Sequence, residues 1–178
     1  WGEKAQIDVI DFYVISSADE RMAALQRGQI QIAYDFTASH KHVLDSDDSI
    51  NAYFKPFFNI GYLALNNEKQ PFNDVKVRKA LDLLIDKKKI TSDVYFDFAR
   101  VATSFVPPML WGYNDELKDG GIKIDEAKEL LNEAGLEKPF KLELMVMGQS
   151  RNYFPDPLGL AQFIKNALEA AEIEVSVN

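Results

Sequence analysis

The sequence contains no cysteine, so no disulfide can staple it and no thiolate can hold a metal. Histidine is scarce too: His40 and His42 are the only two in 178 residues. There is no Gly-x-Ser-x-Gly elbow, no His-Glu-x-x-His pair and no glycine-rich phosphate loop, so an enzyme is not expected. No apolar run approaches the roughly 18 to 20 residues that a bilayer-spanning helix needs. Positive charge is in deficit as well. With 20 Lys and Arg against 28 Asp and Glu, the formal net charge is -8. Sequence-independent nucleic-acid affinity comes from clustered cations, so no nucleic-acid partner is expected.

What is present is apolar. At 47% hydrophobic and 12% aromatic, the chain can bury one sizeable core or two small ones. The stretch that orders the rest runs from Asn59 to Tyr95. Ile60, Tyr62, Leu63, Ala64 and Leu65 are strand formers that stop at Asn66 and Asn67, which predicts a buried strand. After the turn-forming Gln-Pro-Phe-Asn-Asp, residues Val77, Ala80, Leu81, Leu84 and Ile85 share one helical face, with Lys76, Arg78, Lys79, Asp82 and Asp86 opposite. Asn73 or Asp74 can accept from the first free N–H groups, so this helix should start at about Asp74. Lys87 to Lys89 would then sit at its negative end.

Upstream, residues 7 to 15 read as a strand apolar on both faces, hence a central one. Asp19 can cap a helix with Met22, Ala23 and Leu25 inward and Gly28 as terminator, and Ile30, Ile32 and Tyr34 alternate as a second strand. His40, His42, Asp45, Asp47 and Asp48 are the only cluster of metal-ligand residue types. Their spacing lacks a scaffold, so a solvated helix and exit loop is expected, with no metal. The aromatics between Asn51 and Phe58 should pack at the root of a strand rather than form a ligand shelf.

Downstream, Pro107-Pro108 forces an extended surface loop, expected to be pinned by Trp111 and Tyr113. Asp125 should cap a helix lined by Ala127, Leu130, Leu131 and Ala134 and ended by Gly135. A strand carrying Leu142, Leu144 and Val146 follows. Then come the loop Gly-Gln-Ser-Arg-Asn-Tyr-Phe-Pro-Asp-Pro, a helix with Leu160, Phe163, Ile164, Leu168 and Ala171 inward, and a last strand from Glu174 to Asn178. Arg151, in that loop, is the residue best suited to ligand chemistry, because strand-end loops of α/β sheets collect ligands and a guanidinium matches a carboxylate. The residues alone favour an exposed charge, or a surface pair with Asp156.

Wording narrows the choice. The blocks Asn-x-Gly-Tyr-Leu-Ala-Leu-Asn at 59 to 66, Pro-Phe-Asn-Asp-Val-Lys-Val-Arg-Lys-Ala-Leu at 71 to 81, Pro-Pro-x-x-Trp-Gly-Tyr at 107 to 113 and Asp125 to Leu136 resemble the family 5 extracellular solute-binding proteins of ABC importers. Leu25 to Ile32 is similar to a further block, with Gln31 where the family usually has Asp. The start at Trp1-Gly resembles a stretch well inside the family's mature protein, which implies an internal fragment. The resemblance implies an α/β, periplasmic-binding-protein-like fold (type II, peptide-binding cluster). Residues 1–58 would be a portion of the first lobe (strand, helix, strand) and 59–178 the core of the second, ligand-closing lobe. It also implies a periplasmic or extracellular, membrane-anchored substrate-binding component that captures dipeptides or short peptides for an ABC permease, without a cofactor. Arg151, with Tyr153 beside it, would hold the peptide carboxylate. A Sap-type protein for antimicrobial peptides or haem, and a non-transport peptide sensor, are the alternatives.

Overall fold

The computed structural model describes residues 2–55, 57–136, 139–151 and 153–178. Trp1, on which the first block of the resemblance begins, lies outside the described residues, as do Pro56, Glu137, Lys138 and Asn152. Contacts divide the chain into two units, Trp1–Ala52 and Tyr53–Asn178.

The first unit is built on α1 (Ala18–Gln26), followed by a single 3-10 turn (Ala38–His40) and α2 (Lys41–Ser46). Met22, Ala24 and Leu44 are its buried apolar side chains among the described residues. The cap is Ser17, not Asp19: the Ser17 backbone is extended and its hydroxyl accepts the Glu20 N–H at 3.3 Å, while Asp19 lies inside the first turn. Gly28 ends the helix region at φ +69°, where a Cβ would be strained. The expected strands at 7–15 and 30–34 do not form. Neither segment has a hydrogen-bonded ladder among the described residues, and most of their large apolar side chains are exposed, Val14 at 96%. Strand-forming residues fix only half of a strand; the other half is a neighbour to take the N–H and C=O groups.

The second unit holds the core. Its first helix, α3 (Val75–Leu84), begins where the capping argument placed it, with Asp74 accepting the Lys76 N–H at 2.7 Å. Val77, Ala80, Leu81 and Leu84 are buried, joined by Leu83. They pack against Ala127 and Leu131 of α5 (Ile124–Glu133) and against Ile164 and Leu168 of α6 (Pro157–Glu169). Leu142, Ile173 and Val175 complete that layer from two parallel strands, β1 (Phe140–Leu144) and β2 (Ile173–Val177), paired from Phe140 with Ile173 to Leu144 with Val177. The pairing runs on past both strands, with Asn178 N–H donating to Leu144 C=O at 2.9 Å and Val146 N–H to Asn178 C=O at 3.0 Å. Lys141, Glu143, Glu174 and Ser176 alternate onto the outer face, which is exposed and polar, with Lys141 and Glu174 paired at 2.9 Å. In α6, Asp156 caps by accepting the Gly159 N–H at 2.9 Å, and a Cβ on Gly159 would lie 2.0 Å from the Asp156 carboxylate. A larger residue at 159 would make the Asp156 side chain shift from this position.

Five expectations are corrected in this unit. Residues 60–65 form no ladder among the described residues, and of them only Leu65 packs against the core, for the same lack of a neighbouring strand. The aromatics Tyr53, Phe54, Phe57 and Phe58 are exposed; Phe54 meets Phe98 at a centroid distance of 4.9 Å instead of packing under a strand. Trp111 is fully exposed at 101%, so the Pro-Pro loop is held instead by buried Pro107 and by Ser104, whose hydroxyl accepts the Val106 N–H at 3.2 Å. Asp125 is not the cap of α5; Lys123 occupies that position without a side-chain bond, and Asp125 and Glu126 lie in the first turn, on the positive end of the dipole.

Lys87 to Lys89 do not close α3 either. The helix stops at Ile85, Asp86 caps a new one by accepting the Lys89 N–H at 2.9 Å, and the lysines form the first turn of α4 (Lys87–Asp93). Positive charge is unfavourable there. Lys87 is compensated by Asp119 at 2.6 Å and Asp82 at 3.0 Å. Burial is the largest single influence on its ammonium and acts to lower the pKa, but the hydrogen bonds it donates to Asp119 and Asp82, together with their negative charges, outweigh it, so the value is raised from 10.5. The side chains of Lys87 and Asp119 are only 26% and 16% exposed. Lys87→Met is expected to cost about 1 to 3 kcal/mol in urea unfolding at neutral pH, because the Asp119 carboxylate loses its partner. The pair contributes in full below pH 10.5 and its contribution fades as pH rises through the higher folded value. The gap between wild type and variant should narrow in that alkaline range. A gap that widened there would disprove the account.

Candidate functional site

The chain leaves β1 at Leu144 and enters α6 at Pro157, so residues 145 to 156 form a loop at the carboxyl end of the parallel pair. Ligands collect at that end in open α/β sheets. The loop tip is closed: Arg151 N–H donates to Phe154 C=O at 2.9 Å and Phe154 N–H returns the bond to Arg151 C=O at 2.8 Å. The backbone is thus tied at Arg151 and Phe154. Arg151 is exposed, and Tyr153 is about half exposed. The pair with Asp156 allowed by the sequence is not made; Asp156 instead caps α6. Among the described residues the Arg151 guanidinium carries no ion pair, which leaves its planar fork available to a carboxylate.

A groove of about 500 Å³ lies elsewhere, lined by Val75, Arg78, Lys79, Asp82, Leu83, Glu126 and Leu130. Its charges are largely engaged: Arg78 donates to Phe72 C=O at 2.6 Å, Asp82 meets Lys87 and Glu126 meets Lys123, both at 3.0 Å. It includes neither Arg151 nor Tyr153.

The polar cluster of the first unit is dispersed. His40 is buried at 6% exposure and bonded on both ring nitrogens, to Asp19 at 2.9 Å and Thr37 at 2.8 Å, not solvated as expected. Asp45 pairs with Lys41. Asp47 accepts from the Ser49 hydroxyl at 2.5 Å, the main cause holding its carboxyl below the usual value, and from Gln26 at 3.1 Å. No group of three or more His, Asp or Glu among the described residues is placed to hold a metal.

Sequence reasoning missed Arg21, whose guanidinium grips carbonyls on both sides of α1, and the Lys87–Asp119 pair. An arginine one turn into a helix flanked by two apolar segments was the available signal for the first. For the second there was none, since the partners are 32 positions apart.

Compared with known proteins, the whole chain, residues 1–178, matches the family model described as bacterial extracellular solute-binding proteins, family 5 Middle. A dipeptide-binding protein of Escherichia coli is 38% identical over 165 residues, which are 93% of this chain and 31% of the relative. Heme-binding protein A of Haemophilus influenzae is 31% identical over 178 residues, 100% of this chain and 32% of the relative. Among solved structures, the dipeptide binding protein from Pseudoalteromonas sp. SM9913 in complex with Met-Leu aligns at a TM-score of 0.74 and 30% identity, over 92% of this chain and 32% of that one. The chain spans about a third of the length of these relatives.

Proposed function

The chain belongs to the bacterial extracellular solute-binding proteins, family 5, and from that premise we propose that it is part of the substrate-binding component of an ABC peptide importer. Its fold is a piece of the type II binding-protein fold. In this reading the whole protein captures dipeptides or short peptides in the periplasm, or anchored outside the cell, and hands them to a membrane permease without making or breaking a bond. Residues 1–58 belong to the first lobe and 59–178 to the second. Arg151 receives the peptide carboxylate and Tyr153 flanks it.

The observation that carries the reading is the closed loop tip, which presents an exposed guanidinium with no ion pair among the described residues at the carboxyl end of β1. A fixed charge for the constant end of a peptide, with nothing specific to its side chains, suits broad selectivity. The similarity of a dipeptide-binding relative across 93% of the chain points the same way. A second reading, haem as ligand, has the haem-binding relative in its favour. Calorimetry on the full-length polypeptide with Met-Leu, haem and a longer cationic peptide separates them. The dipeptide should bind and haem should not; haem binding alone would replace the first reading by the second.

A further inference from the structure

The sheet of the second unit has two strands among the described residues, so each strand has one edge without a neighbour. Which main-chain groups face the open edge of β1 follows from the bonds on its other side. Asn178 takes the Leu144 C=O and the Val146 N–H, so the even-numbered residues of β1 turn their main-chain groups toward β2. Lys141, Glu143 and Met145 therefore turn theirs outward, and among the described residues those groups make no backbone hydrogen bond. Such an edge is a template for another strand.

The sequence of β1 makes it complementary to itself. When the same edge of two copies meets antiparallel across a two-fold axis, odd-numbered residues must face odd-numbered ones for their N–H and C=O groups to pair. Centring the axis on Lys141 sets that ammonium against its own copy, and centring it on Glu143 does the same to the carboxylate; like charges directly opposite are destabilising. Centring it on Leu142 sets Lys141 opposite Glu143 of the second copy, and by symmetry Glu143 opposite Lys141. Phe140 then faces Leu144, and Leu142 faces its own copy, on the side where all three pack with the core. Phe140 and Leu144 are only half-buried, so they still have apolar surface to cover. Pro139, with no N–H to give, falls opposite Met145 and can still accept the Met145 N–H at its C=O. On the polar face the charges alternate across the junction, since Lys141 already meets Glu174 of its own β2 at 2.9 Å. The open edge of β2 is less selective: Glu174 would meet Ser176 in one register and Asn178 in the next, with neither preferred by charge.

We propose that the open edge of β1 pairs antiparallel with β1 of a second copy of this chain, about a two-fold axis through Leu142, with Lys141 opposite Glu143. The pairing does not depend on which ligand the protein binds.

The experiment measures association of the full-length polypeptide by sedimentation equilibrium, with amide hydrogen exchange followed at Lys141, Glu143 and Met145. Wild type is expected to dimerise, with those amides protected only at concentrations where the dimer forms. Lys141→Glu sets a carboxylate against Glu143 of the second copy, and Glu143→Lys sets an ammonium against Lys141, so each variant alone should dimerise at least about 10-fold more weakly. Mixed together, the two variants should form a heterodimer close to wild type in affinity, because every facing pair is then opposite in charge. Glu143 faces Ser176 on β2, so Glu143→Lys carries the test if Lys141→Glu does not fold beside Glu174. A wild type that stays monomeric overturns the proposal, and amides protected in that monomer would mean that another strand of the same polypeptide holds the edge. Dimers untouched by either substitution, or a mixture that recovers nothing, would place the contact elsewhere and overturn it too.

Discussion

Arg151→Ala in the full-length polypeptide is expected to weaken dipeptide binding by about 2 to 5 kcal/mol, roughly 30-fold to several thousand-fold in Kd, if the guanidinium is desolvated against a carboxylate. Little of that should come from disturbed folding. The Arg151–Phe154 backbone bonds that close the loop do not involve the side chain, and an exposed charge with no ion pair contributes little to stability. The ligand itself supplies the control. Met-Leu amide lacks the terminal carboxylate, so wild type should bind it more weakly than the free acid while Arg151→Ala should bind the two alike. Arg151→Lys keeps the charge but not the planar fork and should fall between. A variant that held the free acid as tightly as wild type would return Arg151 to the role of a surface charge.

Leu81→Ala should be a severely damaging change to the second unit, costing about 2 to 5 kcal/mol from lost transfer energy plus the cavity left behind. Leu81 is 2% exposed and belongs to the layer where α3 meets α5, α6 and the parallel strands. A site enclosed by several elements cannot collapse from one side, which places it toward the upper part of that range. Domains are stable by about 5 to 15 kcal/mol, so the change removes a large share. Lys79→Ala, on the exposed side of the same helix, should shift stability by no more than about 0.5 kcal/mol. Urea unfolding followed by far-UV circular dichroism measures both. A Leu81 effect below about 1 kcal/mol would mean that the helices are not packed as described.

The helices were legible in the sequence because the information that makes them is local. The 3.6-residue spacing of Val77, Ala80, Leu81 and Leu84, and Asp74 just before them, determine where α3 begins and what it buries. Caps were read less well where several candidates stood close together: Ser17 displaced Asp19, and Lys123 displaced Asp125. The strands were legible only where the chain supplies both members, β1 and β2. Segments 7–15, 30–34 and 60–65 have the composition of strands and stay unladdered, because pairing is a property of two segments. The helix break at Ile85 was hidden by a continuous run of good helix formers, and Lys87 is understandable in its place only once Asp119 is beside it. For the candidate site, the position of Arg151 in a strand-end loop was legible, but the reciprocal bonds between Arg151 and Phe154 and the use of Asp156 as a helix cap were not, because both depend on how the loop backbone turns.

The outward side of the β1–β2 ribbon limits how this part of the molecule can be enlarged. With Lys141, Glu143, Glu174 and Ser176 turned to water, that side has no greasy surface for another slab of structure to sit on. The flanks are different, since each still has main-chain donors and acceptors to offer. Further strands could therefore pair at its sides, whereas a layer laid on this polar side would find little apolar surface to bury.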